Sequence, residues 1–193
     1  MVQKRVLGVI GLGHVGAHVA YSLAVQGIEL VLVDQNEQKL ASEVQDLRDA
    51  VAYLPHRVTV RAGNFADLGA CDVIVNSVGK IELLRGTHDR LTEMDFTIPA
   101  VRGYAEKIKA SGFDGVLINI TNPCDIVTRE LALHLGLPRG RVFGTGTGLP
   151  PRTVTRWGMY ATASRRSCTS LASFCSFWST STSSSAMPWI ARA

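Results

Sequence analysis

One six-residue segment constrains the fold of this chain more than any other: Gly11-Leu12-Gly13-His14-Val15-Gly16. It follows a short apolar run, Val6–Ile10, and precedes apolar residues that recur every three or four positions as far as Gly27. Such a run is typical of a buried strand, and the spacing after it is typical of a helix. The segment therefore predicts a strand, a tight turn and a helix that the glycine segment opens.

Each glycine of this turn has a separate purpose if the turn binds a ligand. Gly11 permits the tight turn, Gly13 lets the backbone approach a diphosphate, and Gly16 lets the helix pack closely on the strand. The first N–H groups of the helix and its dipole then face the anion, beside His14 and Val15. A glycine-rich strand-to-helix turn without a ligand is the alternative interpretation.

The next residues alternate short β-branched runs with amphipathic stretches. We expect further strands at 30–33, 58–60, 73–75, 116–120 and near 141–143, and helices at 37 to about 53, 91–110 and 126–135. Buried strands that alternate with helices predict an α/β domain, a doubly wound and mostly parallel sheet of the Rossmann type. In such a sheet the loops after the first and fourth strands meet where the strand order reverses.

An acidic residue ends the second predicted strand. Asp34 lies eighteen residues beyond Gly16, near the spacing at which a carboxylate binds the ribose hydroxyls of adenosine. The same carboxylate would repel a 2′-phosphate, so the pattern favours NAD over NADP as the cofactor. A solvated Asp34 at the end of a strand is the alternative.

A partly polar loop, 80–90, follows Val78 and Gly79 at the end of the fourth strand. A loop there could close over a ligand and exclude water. Arg90 is our candidate catalytic residue, because its guanidinium could stabilise negative charge on a ketone oxygen. Arg85 is a weaker candidate, and an exposed position in the first turn of the next helix is the alternative for Arg90.

Asn122 closes the fifth strand before Pro123 and could present its amide to a cofactor or substrate. We expect Asp125 to be the N-cap of the next helix rather than a catalytic residue. His14 and His88 lie nearest the predicted ligand, but no acid is placed to orient either imidazole, so we regard both as incidental.

The composition argues against several other classes of protein. Residues 1–130 hold all 16 acidic residues and 13 of the 20 basic ones, so the net charge of +4 belongs to the last third and does not indicate nucleic-acid binding. Without a long apolar run or a signal-like N-terminus we expect a cytoplasmic protein with no membrane partner. Cys71 and Cys124 are expected to be small buried thiols, and no metal site is predicted.

Taken together, these segments resemble the L-lactate and malate dehydrogenase superfamily, and within it the L-2-hydroxyisocaproate dehydrogenases most closely. The likeness is carried by five segments between residues 4 and 147, namely 9–16, 32–34, 75–79, the loop with Asp89-Arg90-Leu91, and 120–125 followed by 141–147. The resemblance implies hydride transfer between NAD and a small 2-hydroxy or 2-oxo acid. It matches Arg90 to the arginine of the family's mobile loop and Asn122 to its cofactor-side asparagine.

The same resemblance bears on the substrate's side chain. Malate-type members carry an arginine earlier in the loop that selects a second carboxylate, and Leu83 and Leu84 occupy that approximate region here. This favours an apolar substrate side chain, although Arg85 leaves an acidic one open.

The family pattern breaks after Thr147. Members continue with an L-D-x-x-R helix and a G-E-H-G segment that supply the catalytic acid, arginine and histidine, and this sequence contains neither. Residues 148–193 hold no Asp, Glu or Lys, and ten Ser lie from Pro151 onward against four in 1–150. We interpret 1–147 as the NAD-binding domain and 148–193 as a poorly ordered tail produced by a shift of reading frame, with a genuine Ser-rich tail as the alternative.

We therefore expect a truncated form that binds NAD without turnover, with an oligomer of the family type in doubt. Two other hypotheses are an NAD-binding or NAD-sensing module whose tail contacts a partner, and a non-functional translation product.

Overall fold

A computed structural model describes residues 5–79 and 90–145, and for residues 90–93 only the backbone. Within these residues one parallel sheet is formed by β1 (Val6–Ile10), β2 (Glu29–Val33), β3 (Val60–Ala62), β4 (Val73–Asn76), β5 (Val116–Asn119) and β6 (Val142–Gly144). The strand order is β3-β2-β1-β4-β5-β6. The predicted doubly wound sheet is confirmed, and the order reverses between β1 and β4.

Helices connect the strands. They are α1 (His14–Ala24), α2 (Glu37–Val51), α3 (Arg90–Ala110) and α4 (Cys124–Leu135), and a 3-10 helix occupies Phe65–Ala70. The 3-10 helix was not predicted from the sequence. It begins with a capping box, in which Asn64 Oδ1 accepts the Asp67 N–H and Asp67 Oδ2 accepts the Asn64 N–H. No helix in this described part is long and apolar enough to cross a membrane.

Some predicted boundaries differ from the structure by one or two residues. Helix α1 begins at His14, inside the glycine segment that was predicted to open it, and Gly13 is its N-cap. Strand β3 lies two residues later than expected, because its pairing with β2 runs from Val60 to Ala62. Asp125 is not an N-cap, because the N-cap of α4 is Pro123, whose carbonyl accepts the N–H of Val127.

The core lies on both faces of the sheet. Leu7, Leu30, Ile74 and Leu117 have 1% exposure or less in the central strands. On one face, α3 and α4 pack together and bury a cluster that includes Val101, Ile108, Val127 and Leu131. Burial of each such side chain contributes about 1.5–3 kcal/mol to stability, so the central strands and helices form a rigid support for the loops at the sheet's edge.

The strands end in register at their carboxyl ends. Val33, Ile10, Asn76, Asn119 and Gly144 are partners in adjacent strands, in that order across the sheet. The residues that follow them, including Asp34, Gly11 and Ser77, therefore lie along one edge. This carboxyl edge is where parallel sheets of this class bind ligands.

Candidate functional site

The glycine turn after β1 is held by close backbone packing. Gly11 has a positive φ of 84°, which glycine adopts without the steric strain of other residues. A Cβ at Gly16 would overlap the carbonyl oxygen of Gly11 and lie 2.5 Å from Ser77 Oγ. Gly16 therefore permits the close approach of α1 to the turn, as its position in the motif predicted.

Gly13 differs from the other two glycines, because it faces open space. A Cβ added there would meet no heavy atom of the described residues within 4 Å, and its φ of −65° is accessible to any residue. Local packing therefore does not explain a glycine at this position. The space that a side chain would fill is available to a ligand lying against the backbone.

The N-terminus of α1 adjoins this space. No side chain of the described residues caps the helix, and its first turn contains no acidic residue. The first intrahelical bond is the one that Ala17 N–H donates to Gly13 O at 2.9 Å, so the N–H groups of residues 14–16 have no intrahelical acceptor. With Gly13, His14 and Val15 exposed, these N–H groups and the helix dipole form a site suited to an anion.

Asp34 lies beside the glycine turn. Its Oδ2 accepts the Leu12 N–H at 2.6 Å, and its Oδ1 accepts the Asn36 N–H at 2.9 Å. The carboxylate is half-buried and retains lone pairs for further donors. The structure thus brings Asp34 to the turn that contains Gly11 and Gly13, as the spacing predicted.

Ser77 was missed by the sequence analysis. Its hydroxyl can donate to Gly11 O at 2.6 Å or to Ile10 O at 3.0 Å, which ties the end of β4 to the glycine turn. Its position directly after a predicted strand at the reversal of strand order was the available signal. Next to it lies half-buried Val78, whose Cα would be 3.0 Å from a Cβ added to Gly11. Gly79 is exposed, and a Cβ added there would meet no heavy atom of the described residues within 4 Å.

Asn122 lies two strands from the glycine turn, in the connection between β5 and α4. It is half-buried and precedes Pro123 through a cis peptide bond. The residues around it are held by a buried network of Asn76, Asn119, Thr121 and Tyr104. This network was not predicted from the sequence, because a single Asn inside an apolar strand gives no sign of its partner in the next strand.

Several predicted site residues lie outside the described residues. The backbone of α3 begins at Arg90, but its side chain is not among the described ones, and neither are residues 80–89 with Leu83, Leu84, Arg85 and His88. The tail of residues 148–193 also lies outside. The roles given to Arg90 and to the tail stay predictions.

The two described cysteines differ. Cys71 is a buried thiol, as predicted, and burial raises its pKa to about 11. For Cys124 the predicted burial is wrong, because this residue is half-buried and lies near the side chains of Asn119 and Thr128. No cluster of His, Cys, Asp or Glu suited to a metal ion occurs in 5–79 or 94–145.

The site fits a dinucleotide, because it combines the open space at Gly13, the uncapped helix N-terminus and the carboxylate of Asp34. Comparison with known families identifies the dinucleotide. Residues 5–144 match the model of the lactate/malate dehydrogenase NAD-binding domain. The chain belongs to the lactate/malate dehydrogenase family. NAD is the cofactor of this domain, and the resemblance predicted from the sequence is confirmed.

Individual relatives agree with this family. The chain is 40% identical to an L-lactate dehydrogenase of Fusobacterium nucleatum over 158 residues, which are 81% of this chain and 49% of the relative. L-lactate dehydrogenase 1 of Bifidobacterium longum is 37% identical over 77% of this chain and 47% of its own length. The chain thus spans about half the length of the curated relatives it matches.

Solved structures show the same fold. The minor L-lactate dehydrogenase of Enterococcus mundtii, in a ligand-bound form, matches with a TM-score of 0.69 at 33% identity, covering 75% of this chain and 46% of that one. The lactate dehydrogenase of Cryptosporidium parvum, complexed with lactic acid and nicotinamide adenine dinucleotide, has a TM-score of 0.69, 25% identity and the same coverage. These relatives are lactate dehydrogenases, so a closer likeness to 2-hydroxyisocaproate dehydrogenases stays a prediction.

Proposed function

We propose that this lactate/malate dehydrogenase chain holds NAD along the carboxyl edge of its sheet and that it derives from a dehydrogenase of L-2-hydroxy acids. One observation carries the proposal: an uncapped helix N-terminus with open space at Gly13 adjoins a carboxylate, Asp34, that is bonded to the same turn. The first group attracts a diphosphate, and the second accepts the hydroxyls of a ribose.

The charges of these groups support NAD over NADP. Asp34 can accept hydrogen bonds from both hydroxyls of the adenosine ribose, but a 2′-phosphate in their place would bring two negative charges together. Such a juxtaposition costs several kcal/mol. We assign Gly11, Gly13, His14, Val15 and Gly16 to the diphosphate side of this site.

The second nucleoside would extend in the opposite direction from Asp34, towards β4 and β5. Val78, Gly79 and Asn122 follow those strands and are the residues that we assign to it. NAD, when bound, supplies the hydride acceptor or donor for a 2-hydroxy or 2-oxo acid. In this proposal Arg90 stabilises negative charge on the substrate oxygen, and Asn122 orients cofactor and substrate through its amide.

We further propose that this 193-residue chain binds NAD without turnover. Its sequence contains no counterpart of the family's L-D-x-x-R and G-E-H-G segments, which would supply the acid–base pair and the arginine for the substrate carboxylate. Without them, proton transfer and substrate orientation are both missing. The composition of residues 148–193 supports a shift of reading frame after Thr147, and the nucleotide sequence around codons 147–150 tests it.

A titration of the full chain with NADH and NADPH tests the proposal. We expect micromolar or weaker binding of NADH and at least about tenfold weaker binding of NADPH, which corresponds to about 1.4 kcal/mol. We also expect no NADH oxidation with 2-oxoisocaproate or pyruvate. A folded chain without affinity for NADH would refute the binding site, and measurable reduction of either 2-oxo acid would refute the predicted inactivity.

A further inference from the structure

A buried amide network underlies the turn that carries Asn122. Asn76 ends β4 and Asn119 ends β5, where the two are register partners, and both are completely buried. Asn76 Nδ2 donates to Asn119 Oδ1 at 2.8 Å and to Thr121 Oγ1 at 3.2 Å. Tyr104, from α3, donates its hydroxyl to Asn76 Oδ1 at 2.9 Å.

These two amides occupy positions in strands that are otherwise apolar. The neighbours of Asn76 are Val73, Ile74 and Val75, all 5% exposed or less. Placing amides there loses the hydrophobic contribution of an aliphatic side chain and gains little net stability from the hydrogen bonds. A fully paired buried network instead fixes one geometry, because any displaced member would leave a partner unsatisfied. The network therefore serves geometry rather than stability.

The geometry that it fixes is that of the residues on both sides of Asn122. Asn119 Oδ1 accepts the Thr121 N–H at 3.1 Å, and Asn119 Nδ2 lies 3.1 Å from Thr121 O and 3.2 Å from Cys124 O. The side chain of Asn119 thus contacts the backbone on both sides of Asn122, at Thr121 and at Cys124. The Asn122 amide, between them, makes no hydrogen bond to another residue that the structure describes. The contacts of its neighbours therefore fix its backbone, and its amide can bond a ligand.

The place of this turn in the sheet indicates which part of NAD it would meet. Asp34 follows β2 and Asn122 follows β5, on opposite sides of the glycine turn after β1. The strands β2 and β5 are three strand spacings apart, about 14 Å. A dinucleotide with its diphosphate at α1 and its adenosine ribose at Asp34 therefore directs its nicotinamide nucleoside towards β5.

We propose that Tyr104, Asn76 and Asn119 are positioning residues that hold Asn122 against the nicotinamide nucleoside of NAD. The inference rests on the proposed NAD site and adds three buried residues to it. None of the three touches the cofactor; each acts through the Thr121–Asn122 backbone.

Tyr104→Phe is the sharpest test, because it removes only the hydroxyl that bonds Asn76. The ring, which stacks on Phe65 at 6.0 Å between centroids, is kept. We expect the affinity of the full chain for NADH to fall about fivefold, the loss that corresponds to one net hydrogen bond. Affinity for ADP, which carries the diphosphate and adenosine but no nicotinamide nucleoside, should change less than about twofold.

A double-mutant cycle separates positioning from general destabilisation. Asn122→Ala should weaken NADH binding but not ADP binding, and adding Tyr104→Phe to it should have no further effect, because the group being positioned is gone. Ile108→Val, one turn further along α3 and completely buried, is the matched control that loosens the same helix without touching the network. It should leave both affinities unchanged.

The outcomes are distinct. If the wild-type chain binds neither nucleotide, the proposed function fails. If it binds both but Tyr104→Phe weakens them equally, or weakens NADH further in the Asn122→Ala background, the positioning role is wrong while the NAD site stands. Should Tyr104→Phe fail to fold by circular dichroism, Thr121→Val, which removes the hydroxyl that accepts from Asn76, decides by the same comparison of NADH with ADP.

Discussion

Substituting alanine for two glycines of one turn should separate folding from cofactor binding. Among the residues that the structure describes, a Cβ at Gly13 meets no heavy atom within 4 Å, whereas a Cβ at Gly16 overlaps the Gly11 carbonyl oxygen. The two changes add the same methyl group three residues apart. Any difference in stability or NADH affinity between the two variants is therefore caused by the surroundings of the methyl group and not by its chemistry.

The structure gives the expected magnitudes. At Gly16 the gain of about 1 kcal/mol for alanine within a helix is outweighed by forced movement of backbone, since overpacking costs about 1–3 kcal/mol and more against rigid atoms. We expect Gly16→Ala to lower the free energy of unfolding by about 2 kcal/mol. At Gly13 the φ of −65° suits alanine, so Gly13→Ala should change that free energy by less than about 1 kcal/mol.

The Gly13→Ala variant should stay folded but bind the cofactor less tightly. The methyl group of Gly13→Ala fills the space where the diphosphate approaches the helix N-terminus, so NADH affinity should fall at least about tenfold, or about 1.4 kcal/mol. Urea unfolding followed by far-ultraviolet circular dichroism measures stability, and NADH fluorescence measures binding. A Gly13→Ala chain that binds NADH like the wild type would show that the diphosphate does not lie over Gly13.

Three further predictions concern individual side chains. Asp34→Asn keeps an acceptor for the Leu12 N–H but removes the charge, so NADH affinity should fall by about tenfold. In parallel titrations the ratio of NADH affinity to NADPH affinity should approach one. An unchanged ratio would exclude Asp34 from cofactor selection. Hydrogen bonds from the Asn64 N–H and from Arg61 hold the pKa of Asp67 below 3.8. Its charged form therefore stabilises the fold above about pH 4, and this contribution is lost as the pH falls through the lowered pKa. Asp67→Asn should therefore lower the melting temperature at pH 7 and lower it less at pH 3, and an equal difference at both pH values would contradict the cause given. Because Cys71 is buried and its pKa is about 11, it should react with iodoacetamide at pH 8 at least about tenfold more slowly than half-buried Cys124. Peptide mass spectrometry measures both rates. Equal rates would argue against a buried Cys71.

Much of the fold could be predicted from the sequence because it depends on local patterns. Apolar runs and helical spacing identified every strand of the described sheet, and Gly11, Gly13 and Gly16 predicted the tight turn after β1. Boundaries were less accurate, since the end of β3 depends on its hydrogen bonds to β2 and the start of α4 on the backbone at Pro123. A residue's own neighbours in sequence contain no information about such partners.

The sequence by itself determined the layered α/β class, the glycine turn and the acid at Asp34, because each follows from the conformational needs of residues that are close in sequence. Only the tertiary structure decided that Ser77 bonds the glycine turn and that Asn76 and Asn119 face one another, 43 residues apart, in adjacent strands. The physical reason is that strand order and register place side chains from distant segments within hydrogen-bonding distance. No local pattern of residues specifies that register.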